Sequence, residues 1–274
     1  MQCFRQELRS IREIYKMRKA GLLVYQAHQI CASMVKPGVS TGEIDAEVEK
    51  FFDAHKAIGC FKGVQLSRLQ KPFPSVTCMS LNEEVVHGIP SKDRILREGD
   101  ILSVDTGCKY NGWCGDSAWT YAVGKIDHVS ENLMATTEGV LGLAIELLKV
   151  KTHWNEVAAE MEKYVHDNGF SVVECMVGHG IGHEMHEPPQ VANYPCRGGN
   201  FPIRPGVVIA VEPMVNVGTN ALRELSDGWT MITKDRKRSA HFEHTIAITK
   251  DGPFVLTAGP DQYDNAKFPE ELDE

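Results

Sequence analysis

The chain is 274 residues long, 42% hydrophobic and 24% charged, with a formal net charge of −8. That length allows one large domain or two small ones, and the composition is that of an ordinary globular protein. The acidic balance argues against nucleic acid or a membrane surface as the main partner. The eight cysteines include no C-x-x-C pair, which argues against a zinc ribbon or thioredoxin-type motif and for free thiols in a reducing compartment. The opening MQCFRQELRS lacks the apolar core of a signal peptide. The longest apolar runs, such as Val207 to Val211, are far too short to span a bilayer. A cytoplasmic protein is therefore expected.

From about Glu7 to Val35, residues Ile11, Ile14, Tyr15, Met17, Leu22, Val24 and Tyr25 recur at roughly helical spacing, and Pro37-Gly38 ends that helix. Ser40 and Glu43 form a capping-box signature for a second helix, whose buried face is Ile44, Val48, Phe51 and Phe52. Residues 59 to 75 read as a loop rich in Gly, Pro and Lys. Ser75 to Leu81 suits a strand, and Asn82 to Pro90 a turn that carries His87.

The stretch Gly99 to Thr120, GDILSVDTGCKYNGWCGDSAWT, centres on Asn111-Gly112, a strong hairpin signal because both turn positions need positive φ. A two-residue turn there pairs Tyr110 with Trp113 and sets Gly107 opposite Asp116. Asp105 then shares a face with Asp116 as its diagonal neighbour. Two carboxylates converging on a largely buried hairpin repel each other unless a cation lies between them.

Glu131 to Lys149 and Trp154 to Asp167 read as helices, the second ended by Asn168-Gly169. VKPGVSTGEIDAEVEKFF from Val35 echoes VKTHWNEVAAEMEKYV from Val150. A helix pair followed by strands thus occurs twice, which suggests a duplicated α+β unit with halves of about 1–125 and 126–258. Three polar clusters follow. VGHGIGHEMHEPPQV carries His179, His183 and His186 among glycines that allow close backbone approach. GVVIAVEPMV reads as a buried strand ending in Glu212-Pro213. SAHFEHTIAITKDGP reads as one strand, with His241, Glu243 and Thr245 on one face. The tail, 262–274, is acidic and polar and expected to be functionally silent.

Asp105, Asp116, His179, Glu212 and Glu243 make four carboxylates and one imidazole. That donor set suits Mn, Fe, Co or Zn. Four negative ligands exceed the needs of one divalent ion, whereas two ions about 3.5–4 Å apart would balance them and activate a water for hydrolysis. The pattern alone points to a dinuclear hydrolase.

The motifs NEEVVHGIP, GDILSVDTGCKYNGWCGDSAWT, GHGIGHEMHEPPQV, VEPMVN and HFEHTIAIT, in that order, resemble the type I methionine aminopeptidases of bacterial form, from about residue 7 to 258. The resemblance implies the pita-bread fold, a pseudo-twofold α+β duplication around an antiparallel sheet, forming a single catalytic domain over 1–274. It implies that Asp105 chelates a first metal, that Asp116 and Glu243 bridge two metals, and that His179 and Glu212 complete the second site. The metals are two divalent ions, Co, Mn, Fe or Zn. Glu212 is implied as the proton shuttle, His186 as hydrogen-bond partner of the carbonyl oxygen, and His87 as a contact on the leaving-group side. Cys78, Phe73, Met185 and Trp229 are implied as the methionine pocket, with the loop at 68–77 departing from the family's tyrosine-rich pattern. His183 and His241 are expected to be structural.

The implied reaction is removal of the initiator methionine from nascent polypeptide N-termini by a monomer, with the ribosome as a further partner and no nucleic-acid substrate or membrane. A small second residue is favoured. Two alternatives remain at this point: an X-Pro aminopeptidase or prolidase, which uses the same ligands but usually carries a large amino-terminal domain, and a catalytically inactive pita-bread binding module, which typically lacks ligands.

Overall fold

The computed structural model describes residues 6–65, 67 and 70–260, so the acidic tail at 262–274 and part of the 68–77 loop lie outside the described residues. Two helices come first, α1 (Ile11–Met34) and α2 (Thr41–Ala54), followed by strands β1 (Ile58–Gly59), β2 (Thr77–Leu81), β3 (Glu84–Val86), β4 (Ile101–Tyr110) and β5 (Trp113–Ala122). Then α3 (His128–Leu147) and α4 (Trp154–Asp167) precede β6 (Ser171–Val172), β7 (Gly178–Gly180), β8 (Glu187–Val191), β9 (Val208–Val211) and β10 (Met214–Asn216). The chain closes with β11 (Leu222–Glu224), β12 (Met231–Thr233), β13 (Ser239–His241), β14 (His244–Thr249) and β15 (Gly252–Val255). This is a mixed α/β fold with antiparallel sheets. Among the described residues no helix is long and apolar enough to cross a membrane, and the described cysteines are free thiols.

Helices α1 and α2 start with the same device. Ser10 and Glu13 form a capping box, as do Ser40 and Glu43, each satisfying amide donors that a helix start leaves unpaired. Helix α1 therefore begins at Ile11, later than its apolar spacing predicts. Arg9, just before it, sends its N–H to Gly206 O instead, at 2.7 Å.

The hairpin matches its sequence reading. Asn111 and Gly112 have φ of 49° and 83°, Tyr110 pairs with Trp113, and Gly107 lies opposite Asp116. Strand β5 pairs with the whole of β4, whose other edge takes β2 at residues 102–106 and β1 at 108–109.

Two readings need correction. The segment Asn82 to Pro90 is not all turn, since β3 lies within it and pairs with β12. The strand read across SAHFEHTIAIT is broken in two at Phe242-Glu243, opposite the expected strand end at Glu212-Pro213, after which β10 resumes. Strands β9 and β14 pair Val211 with His244, and β10 and β13 pair Met214 with His241. The register is the same on both sides, so this is one antiparallel ribbon that opens for two residues, with Glu212 facing Glu243. Pro213 has no N–H to give the ladder, and the Glu243 N–H turns away to Ala118 O on β5, at 2.8 Å.

Each helix pair covers its own sheet. Leu23, Val24, Ala27 and Cys31 of α1 and Ile44, Val48 and Phe52 of α2 pack with Met79, Leu102 and Val104. Val140, Leu141 and Ala144 of α3 and Trp154, Val157 and Met161 of α4 pack with Ile209, Val211, Val215 and Ile246. Burial of each large apolar side chain contributes roughly 1.5–3 kcal/mol. The β4–β5 hairpin is stitched to the second-half ribbon by hydroxyls. Thr245 Oγ1 bonds both the N–H and the O of Asp116, Ser117 Oγ donates to Glu243 O, and Thr120 Oγ1 bonds both the N–H and the O of His241, all at 2.6–3.0 Å.

Helix α1 crosses β5 where two glycines meet. A Cβ on Gly115 would lie 2.8 Å from the Gly21 nitrogen, and one on Gly21 would lie 2.1 Å from Leu256 O. Gly142, on an exposed turn of α3, would meet nothing within 4 Å. Gly21→Ala or Gly115→Ala is therefore expected to destabilise the fold by about 1–3 kcal/mol through overpacking. Gly142→Ala should instead stabilise it by roughly 0.5–1 kcal/mol. Urea unfolding of the three variants checks the contrast, and equal stability of all three would refute it.

Candidate metal centre and its cavity

The polar residues singled out in the sequence come from seven places in the chain. Asp105 sits on β4, Asp116 on β5 and His179 on β7. Glu212 and Glu243 occupy the opening of the second-half ribbon. His87 follows β3 with φ of 60°, a left-handed conformation uncommon for a side chain other than glycine. His186 lies in the turn between β7 and β8.

These seven residues, together with Phe73, Cys78, Met185 and Trp229, all line one cavity of about 590 Å³. One end is acidic. Donor atoms of Asp116, His179 and Glu243 lie within 4.8 Å of one another, and His179 Nε2 lies 3.5 Å from Glu212 Oε1 and 3.8 Å from Asp116 Oδ2. Gly107 makes room for this cluster, since a Cβ there would fall 2.8 Å from Asp116 Oδ1.

Three carboxylate oxygens in the cluster, Asp105 Oδ1, Asp116 Oδ1 and Glu243 Oε1, are buried without a hydrogen-bond partner among the described residues. A buried charge in that state is strongly unfavourable unless a cation answers it. Burial accordingly pushes the four acids up in the metal-free protein. Asp116 rises to about 7 and Glu212 to about 8, and Asp105 and Glu243 stand well above the carboxylate range, with their neighbours' charges adding to the effect of burial.

His179 is held ready as a ligand. Its Nδ1 donates to Gly180 O at 3.0 Å, which leaves Nε2 to face the carboxylates with its lone pair. Burial pushes its imidazole down to about 4, so it is neutral at physiological pH. The donor set, the orphaned oxygens and the neutral imidazole together fit a divalent metal.

The imidazole of His186 packs 4.3 Å from that of His179, centroid to centroid. His87 meets Trp229 edge-on at 6.4 Å, and burial lowers it to about 4. His183 stands outside the cavity, its ring 3.8 Å from that of Trp113 and its Nδ1 bonded to Gly112 O. His241 lies fully buried behind Glu212, with Nε2 at 3.8 Å from Glu212 Oε2.

The other end of the cavity is apolar. Phe61, Phe73, Cys78 and Trp229 form one packed cluster, joined by Cys60, Ile89 and Met185, with Phe73 edge-on to Trp229 at 5.2 Å. Phe61, Cys60, Val64 and Met176 also line the cavity and were missed in the sequence. Phe61 had a signal, because it and Phe73 are the aromatic residues of the 59–75 loop. Met176 had none.

Comparison with known proteins places this geometry. The model of metallopeptidase family M24 matches residues 15–250. Methionine aminopeptidase 1 of Bacillus subtilis is 43% identical over 246 residues, covering 90% of this chain and 96% of that protein. The methionine aminopeptidase of Escherichia coli is 39% identical, covering 91% and 92% respectively. The crystal structure of the Thermotoga maritima methionine aminopeptidase superposes with a TM-score of 0.88 at 38% identity, covering 93% of this chain and all of that one. A prolidase of Pyrococcus horikoshii, 22% identical with a TM-score of 0.72, covers 94% of this chain but matches 65% of its own, and so shares the pita-bread fold alone. The chain belongs to the M24 metallopeptidases, and within them to the methionine aminopeptidases.

Proposed function

We propose that this chain removes the N-terminal methionine of polypeptides by hydrolysing the first peptide bond, preferentially before a small second residue. The observation that carries this reading is the cavity itself. Its acidic end gathers donor atoms that could hold a metal ion, and its other end is a sulfur- and aromatic-lined pocket suited to an unbranched thioether. The relatives named methionine aminopeptidase support the same substrate.

Asp105, Asp116, His179, Glu212 and Glu243 would hold two divalent ions drawn from Co, Mn, Fe and Zn, with Asp116 and Glu243 shared between them. Those ions supply an activated water and a Lewis acid for the scissile carbonyl. The remaining work falls to side chains. Glu212, which lines the cavity beside the other carboxylates, accepts a proton from the attacking water and passes it to the leaving amine. His186 donates a hydrogen bond to the carbonyl oxygen as negative charge develops there. His87, neutral and fixed beside Trp229, faces the leaving-group side. Asp105 also holds the free α-amino group, which restricts cleavage to the chain end. The chain works as one catalytic domain of two pseudo-equivalent halves, about 1–125 and 126–258. It is a monomer in the cytoplasm and meets nascent chains at the ribosome.

The direct test is chelated protein reconstituted in turn with Mn, Fe, Co and Zn and offered Met-Ala-Ser, Leu-Ala-Ser, Ala-Pro-Ser and formyl-Met-Ala-Ser. Metal-dependent cleavage of Met-Ala-Ser alone is the expected result. Cleavage of Ala-Pro-Ser in its place would move the chain to the X-Pro enzymes. Glu212→Gln and His186→Ala should each fold normally yet lose on the order of 10²–10⁴-fold in kcat, and near-normal turnover in either would overturn the role assigned to it.

The raised carboxylates also set a pH dependence. Their folded-state pKa values exceed the unfolded ones, so the stability that these four acids contribute to the metal-free protein is fully present below about pH 4. It is lost as pH rises through about 7 for Asp116 and about 8 for Glu212. Bound metal removes that penalty. The Tm gained on adding Mn should therefore be larger at about pH 8 than at about pH 6, and a pH-independent gain in a calorimetric titration would refute this account.

A further inference from the structure

The turn from Gly182 to Glu187 faces two ways. Met185 and His186 look into the cavity, with the largely exposed Glu184 beside them, while His183 and Glu187 are tied down on the outside. Cys114 N–H donates to Gly182 O and His183 Nδ1 bonds Gly112 O, both at 2.8 Å, so the turn leans on the tip of the β4–β5 hairpin. Lys109 pairs with Glu184 Oε1 at 3.1 Å. Glu187 closes the turn from within, its Oε1 accepting the Glu184 N–H at 3.0 Å, while its Oε2 pairs with Arg9 Nη2.

The two ion pairs are unlike. The Arg9 and Glu187 side chains are 8% and 16% exposed, against 31% and 75% for Lys109 and Glu184. The exposed pair is screened and weak, whereas removing one member of the shielded pair strands a charge. Arg9 is fixed on every side. Its N–H donates to Gly206 O at 2.7 Å, its Nη1 meets Glu7 Oε2 at 2.8 Å, and its guanidinium lies 5.4 Å from the Trp113 ring centre. It sits directly on the turn, since a Cβ on Gly182 would fall 2.2 Å from Arg9 Nη2. Nothing in the mechanism above uses Arg9.

We propose that Arg9 is a positioning residue, which acts through Glu187 to fix the turn that presents His186 and Met185 to the substrate. The segment ahead of α1 is then part of the support of the active site. The proposal rests on the aminopeptidase reading for its kinetic consequence. Without Arg9, the Glu187 carboxylate swings toward water and releases the Glu184 N–H, and His186, its sequence neighbour, moves. A group that must meet the developing oxyanion loses its effect when displaced by about an ångström. The metal ligands stay in place, because His179 is held by its own bond to Gly180 O on β7.

The test uses full-length, zinc-loaded protein with Arg9→Met, Arg9→Lys and Glu187→Gln. It measures metal content, kinetics on Met-Ala-Ser, and the ring resonances of His186 in histidine-labelled samples, identified with His186→Ala. Arg9→Met should keep its zinc, lower kcat on the order of 10- to 100-fold with little change in KM, and shift the His186 resonances. Arg9→Lys should recover part of both effects. If Arg9→Met fails to fold, Glu187→Gln, which keeps the volume but has one acceptor oxygen where Arg9 Nη2 and the Glu184 N–H need two, decides by the same readouts. Unmoved His186 resonances, or a lowered Tm with kcat unchanged, would overturn the proposal. Wild-type protein that cleaves Met-Ala-Ser with none of Mn, Fe, Co and Zn would sink the aminopeptidase reading instead, and the resonances would still decide the positioning role.

Discussion

Four carboxylates gathered where water is scarce are the constraint that the rest of this molecule answers. Unpaired, they can only be protonated or repel one another, and burial drives all four toward the protonated state. The fold meets the constraint by fixing their backbones and sparing their side chains. Thr245 bonds the Asp116 main chain and Ser117 bonds the Glu243 main chain, while Asp116 Oδ1 and Glu243 Oε1 are left unpartnered. Rigid carriers with free oxygens are what a metal centre needs, because preorganised ligands lose little freedom on binding.

The same burial sorts the histidines. His179, His87 and His241 are all pushed well below the ordinary imidazole range, so none adds positive charge that would compete with a cation. What distinguishes their uses is the second ring nitrogen. In His179 it is committed to Gly180 O, and this fixes which nitrogen turns to the carboxylates. In His241 the Nε2 is unpartnered behind Glu212.

Much of this could be read in the chain, and the limits have physical causes. The hairpin was legible because Asn-Gly leaves one economical turn and period-two alternation then fixes the register. Helix α4 was legible to the residue, bounded by Trp154 and Asp167. The start of α1 was misread because apolar spacing outran its cap at Ser10, although Ser10 and Glu13 carry the same signature that located α2. The strand end at Glu212-Pro213 was legible from its proline, whereas the break at Phe242-Glu243 was invisible because it arises between distant segments. Only the approach of β5 draws the Glu243 N–H out of the ladder. The apolar end of the cavity was half legible for the same reason, since Met176 reaches it through tertiary folding rather than through any local pattern.

The opening of the ribbon bears on how a metal enters and leaves. Glu212 and Glu243 face each other at a gap that has paired strands on both sides and β5 stitched along it. The two halves cannot hinge apart there without tearing both ladders. A fluctuation that separates these two carboxylates is thus close to complete unfolding, and amides flanking the gap belong among the slowest in hydrogen exchange. A metal held as proposed would then exchange through the cavity that His186 and Met185 line, rather than by breathing of the fold.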